Sequence, residues 1–101
     1  MTETVVCGRF PAPVDAAQVA RDWHARGYSC HDFRDPPGRE WKDFVHRTQE
    51  LVTVVEGRLE LEIAGERVTA GPGDEVFIPK GAVHSVRNVH PGRTRWLFGY
   101  D

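Results

Sequence analysis

Turn-forming residues interrupt the chain at short intervals from Tyr28 onward, and this punctuation limits the fold more than any other feature. The breaks are Asp35-Pro36-Pro37-Gly38, Glu56-Gly57, Ala64-Gly65-Glu66, Gly71-Pro72-Gly73-Asp74, Lys80-Gly81 and His90-Pro91-Gly92. They recur roughly every eight to twelve residues and supply residues suited to tight or unusual backbone angles. Between them lie about seven runs with the period-two pattern of β-strands. Arg58 to Ala64 alternates Leu59, Leu61 and Ile63 with Arg58, Glu60 and Glu62, as expected for a strand with one dry and one wet face. Leu51-Val52-Thr53-Val54-Val55 is apolar or half-apolar on both faces. It should be covered twice, by the interior on one side and by a partner subunit or an N-terminal helix on the other. Many short strands in 101 residues imply an all-β sandwich or barrel with its edges closed or packed, and a jelly roll is the natural candidate.

The one convincing helix signal spans residues 14–27. Asp15 is placed to cap it, Gln18 follows three residues later as in a capping box, Val14 and Val19 have the spacing of a hydrophobic staple, and Gly27 stops it. Ala16, Val19, Ala20 and Trp23 form its apolar face, with Arg21, Asp22 and Arg26 expected outside. A chain of this length makes one domain over residues 1–101, with an arm and helix in 1–27 and a barrel in 28–101. The first dozen residues are the one stretch that reads as a linker.

A net charge of -2, spread without blocks, provides no footprint for nucleic acid or an anionic membrane. No run is long and apolar enough to span a bilayer, and the N-terminus lacks the regions of an export signal, so a cytoplasmic location is expected. Cys7 and Cys30 are then expected as reduced thiols. The apolar run at Leu51–Val55, the aromatic stripe Trp96, Phe98 and Tyr100, and the modest core of a chain this size predict a homodimer.

The segment richest in chemistry runs from Gly73 to Asn88. A glycine turn launches an apolar strand, Pro79 ends it, Gly81 permits another turn, and a strand then begins at His84. By alternation His84, Val86 and Asn88 share a face. Gly73, Pro79, Gly81, His84 and Asn88 fit the pattern G-x5-P-x-G-x2-H-x3-N, which resembles the second motif of the cupin superfamily. The first motif, G-x5-H-x-H-x3-E-x6-G, is matched by Gly38, His46, Glu50 and Gly57, with Phe44 where the first histidine would stand.

The resemblance implies a small jelly-roll barrel, frequently homodimeric, often holding a divalent metal through three histidines and a glutamate. His46, Glu50 and His84 carry over as ligands. Alternation places Phe44 with His46, and Glu50 with Val52 and Val54, on shared faces. Two imidazoles and a carboxylate suit Fe, Mn, Ni, Zn or Co. The alternative is a metal-free pocket in which His46 and Glu50 pair and His84 lines the wall. Phe44, Val52 and Val86 are expected to line the pocket, with Phe44 buried beside the ligands. His24, His31 and His90 read as surface or structural residues, although His31 alternates with Phe33 and could in principle reach the pocket, Cys30 as an inert thiol sharing a face with Tyr28, and Asp74 and Glu75 as solvated. Gln49 points away from the site, and the Trp96, Phe98 and Tyr100 stripe reads as core or dimer interface.

Three functions fit: a metal-dependent oxygenase, isomerase or lyase acting on a small organic molecule; a non-catalytic small-molecule binding module; or a metal-free sugar-modifying enzyme with His84 or His46 as base. The chain carries no DNA-binding helix-turn-helix.

Overall fold

Burial along Leu51–Val55 sets the layering. In the computed structural model, which describes residues 4–101, this run lies in β4 (Glu50–Glu56) and is buried on both faces. Val52 and Val54 face the interior with Leu59, Leu61, Val76, Ile78, Val86 and Trp96. Leu51 and Val55 face outward and pack with Leu97, Phe10, Val19 and Trp23 beneath the helix α1 (Ala16–Ala25). The second cover is therefore the chain's own helix, and the aromatic stripe also faces inward.

The remaining strands are β1 (Val5–Val6), β2 (His31–Asp35), β3 (Glu40–Phe44), β5 (Leu59–Ile63), β6 (Glu66–Ala70), β7 (Glu75–Ile78), β8 (His84–Asn88) and β9 (Thr94–Tyr100). They form two antiparallel sheets, β1-β7-β4-β9-β2 and β3-β8-β5-β6. These sheets enclose the core in the jelly-roll manner. The N-terminal segment is not a linker: Val5 and Val6 pair with Val76 and Glu75, and Phe10 is buried. Gly73 is required where this segment crosses, because its φ is 87° and a Cβ there would collide with the Phe10 carbonyl.

Asp15 caps α1 by accepting from the Ala17 amide at 2.9 Å. Glu75, expected in solvent, is instead 5% exposed. It accepts from Trp23 Nε1 at 2.9 Å and, bidentately, from Arg26 at 2.9 and 3.0 Å. Arg26 also meets Asp22 at 2.7 Å, so the supposedly outer face of the helix is tied down to β7. Asp74 is half-buried and accepts from the amides of Gly8 and Gly71.

The motif asparagine is architectural. Asn88 is buried, shares its two Nδ2 hydrogens among the carbonyls of Asp35, Pro36 and Gly92, and accepts from the His90 amide and the Thr94 hydroxyl. It holds together the loops before β3 and β9.

Candidate functional site

The site lies between the sheets where β3, β4, β8 and β9 approach one end. Glu50 opens β4 and pairs with Tyr100 of β9, and His84 opens β8 opposite Phe44 of β3. His46 follows β3, outside its regular pairing, and its carbonyl accepts from the Gly81 amide. The three expected ligands converge: one donor atom from each of His46, Glu50 and His84 lies within 4.8 Å of the others. Glu50 Oε1 stands 3.3 Å from His84 Nε2 and 3.6 Å from His46 Nε2.

Glu50 Oε1 is buried and has no hydrogen-bond partner. An unsatisfied buried carboxylate oxygen costs free energy on the order of 1–3 kcal/mol or more, so its position facing two imidazole nitrogens calls for a cation or proton between them. His84 Nδ1 lies 3.1 Å from the Ala82 carbonyl. A carbonyl only accepts, so Nδ1 carries the hydrogen and Nε2 turns to Glu50. Burial pushes the His84 imidazole down, but the Glu50 carboxylate and the Ala82 carbonyl outweigh it and hold it above the ordinary histidine value. The donor set and its orphaned oxygen fit a borderline divalent ion.

Phe44 corrects one expectation. It is 38% exposed at the mouth of the site, not buried within it, with its ring 6.1 Å from His46 and 6.3 Å from His84 between centroids. Val52 corrects another: it is fully buried beneath the site and lines no part of the cavity, whereas Val86 does.

The cavity of about 190 Å3 is lined chiefly by aromatic side chains: Phe33, Trp41, Trp96, Phe98 and Tyr100 join Phe44. The Trp96, Phe98 and Tyr100 stripe is thus a cavity wall. Trp41 reaches it through a β-bulge, since Trp41 opposes Val86 and Phe44 opposes His84, leaving one extra residue in β3. Asp43 adopts φ 57° there, and its amide donates to Ser85 Oγ at 3.0 Å. Strict alternation would have turned Trp41 away. Beneath the cavity, Asp35 is 1% exposed and accepts from the indole nitrogens of Trp41 and Trp96.

Tyr100 places its hydroxyl 3.4 Å from His46 Nε2, and burial with the neighbouring Glu50 charge pushes its phenol up to about 12. His31 is exposed, with its ring 5.2 Å from Phe98, and does not line the cavity. His24 is exposed and His90 half-buried. Cys7 and Cys30 are free thiols, and Cys30 packs with Tyr28 on the helix side. Gln49 turns away and bonds Asp101.

The cupin domain model matches residues 31–100. The chain belongs to the cupin-domain family. A curated relative, an uncharacterised protein of Aquifex aeolicus (strain VF5), is 53% identical over 45 residues, covering 44% of this chain and 37% of its own length. The solved cupin 2 domain-containing protein of Halorhodospira halophila superposes with a TM-score of 0.68 at 23% identity, covering 73% of this cupin and 51% of that chain. Salicylate 1,2-dioxygenase from Pseudoaminobacter salicylatoxidans superposes with a TM-score of 0.66 at 19% identity, covering 73% of this cupin and 20% of that enzyme. This cupin therefore spans about half or less of the length of these relatives. Among the described residues no helix is long and apolar enough to cross a membrane.

Proposed function

We propose that this cupin holds a divalent transition metal on His46, Glu50 and His84 and presents it to a small organic molecule in the adjoining cavity, as an oxygenase, isomerase or lyase. The carrying observation is the buried, unpartnered Glu50 Oε1 facing two imidazole nitrogens. An ion held by these three residues would supply Lewis-acid or redox chemistry. Around it the side chains have separate tasks. Ala82 fixes the His84 tautomer, Tyr100 stays protonated and offers a hydroxyl donor, and the apolar wall shapes the space for the organic molecule.

A second reading is favoured by the His84–Glu50 contact at 3.3 Å: a protonated His84 pairs with Glu50 without any ion, and the chain is then a metal-free small-molecule binding module. Calorimetry with Mn, Fe, Co, Ni and Zn separates the two. The metal reading expects one ion per chain, lost in His84→Ala; no binding at millimolar metal overturns it.

A further inference from the structure

The cavity wall divides into two ends. Along β9, Tyr100 pairs with Glu50 and Trp96 with Val54, so four residues, roughly 13 Å of strand, separate the polar end from the aromatic end. His46, Glu50, His84 and the Tyr100 hydroxyl gather at the first. At the second, Phe33 makes edge-on contacts with Trp41, Trp96 and Phe98, at centroid distances of 5.6, 6.1 and 6.4 Å. Such packing fixes the rings in place before anything binds.

Asp35 completes the division. By accepting from both Trp41 and Trp96, it turns the indole N–H groups away from the cavity and satisfies them outside it. What remains facing inward at this end is carbon and π-face. A hydrogen-bonding ligand such as a sugar would leave its hydroxyls unpartnered against these walls. A cavity of roughly 150 Å3 takes up a benzene ring. The volume here, about 190 Å3, leaves room for one ring and a small substituent. Phe44, stacked at 22° to His46 and exposed at the mouth, gives the ring a further face to cover.

The geometry points to a single-ring aromatic compound bearing one oxygen anion, a carboxylate or phenolate, with the ring among Phe33, Trp41, Trp96 and Phe98 and the oxygen directed to the His46–Glu50–His84 end. The preference for an anion rests on the metal reading, because a divalent ion with one carboxylate leaves a net positive site. The preference for an aromatic ring rests on the cavity walls alone.

The protein reports on its own occupancy. Trp41 and Trp96 line the cavity, whereas Trp23 is on α1, buried against the other face of the β4 sheet. In 1H–15N spectra of the wild-type chain, the three indole resonances are followed during titration with benzoate, phenol, cyclohexanecarboxylate and acetate, with zinc and with chelator. The expected result is a saturable shift of the Trp41 and Trp96 signals with benzoate, while Trp23 stays still. Benzoate should bind about tenfold or more tighter than cyclohexanecarboxylate or acetate, and tighter with zinc than without. Phenol should give the same shifts, and should keep them under chelator. If zinc binds and neither aromatic compound shifts Trp41 and Trp96 saturably below about 10 mM, or cyclohexanecarboxylate binds as well as benzoate, the aromatic assignment is overturned. If zinc fails to bind but phenol still saturates, the metal reading fails and the ring site stands.

Discussion

Phe44 stands directly across the strand pair from His84. Its ring therefore occupies a place from which an imidazole would face the same two histidines, and Phe44→His supplies the nitrogen that the site lacks. Metal affinity should rise about tenfold or more in that variant, the gain expected of a fourth protein ligand, whereas Phe44→Ala should leave it nearly unchanged. Calorimetric titration of the three proteins checks this. Equal affinity for wild type and Phe44→His would show that position 44 cannot reach the ion.

The pH dependence has opposite signs with and without metal. A metal must displace the proton from His84, so its affinity should fall as pH drops, beginning above the ordinary 6.5 because the His84 value is raised. In the metal-free protein the folded state holds that proton more tightly than the unfolded chain. The resulting stability is complete below about pH 6.5 and lost as pH rises through the raised folded-state value. Urea midpoints measured with chelator should therefore drift down through neutrality, and those with saturating zinc should drift up. Parallel drifts would argue against His84 as the shared group.

Glu75→Ala strands the buried Trp23 N–H and half-releases Arg26. Loss of a buried acceptor of this kind costs about 2–3 kcal/mol, and Glu75→Gln, which keeps one acceptor, should cost less. Urea unfolding reads the difference. Metal affinity of the folded variants should be unchanged, since Glu75 contacts none of the three ligands.

Asp35→Asn replaces one acceptor oxygen with a donor, so the two indoles compete for the remaining oxygen. A stability loss of roughly 1–3 kcal/mol is expected. The Trp41 and Trp96 indole resonances should move in 1H–15N spectra while Trp23 stays in place. Movement of Trp23 as well would mean that the substitution disturbs the whole fold.

What was legible in sequence was whatever local pattern determines. The run Gly73 to Asn88 carries its turns in its own glycines and proline, so the placement of His84 followed from spacing. Asp15 announced the helix, and the two apolar faces of Leu51–Val55 announced two covers. The burial of Glu75 is not legible in sequence, because its partners lie 52 and 49 residues away and a carboxylate beside a turn looks solvated. Alternation gives Val52 its face but not its depth: the spacing between sheets decides which inward residue meets a cavity and which meets core. Trp96, Phe98 and Tyr100 pose the same problem in reverse. Trp41 reaches the cavity through a bulge whose signal, Asp43 with a left-handed backbone, is invisible in a residue pattern that carries no glycine there.

That bulge gives β3 a hinge in its register. Trp41 on one side of it and Phe44 on the other are set by two separate pairings with β8, and His46, Glu50 and His84 lie outside β3, so a change that re-aims the aromatic wall need not disturb those three residues. On the proposed reading, selectivity for the organic molecule would rest partly on this strand and affinity for the metal on residues outside it, a division that lets new ligands be tried without first rebuilding the reactive end.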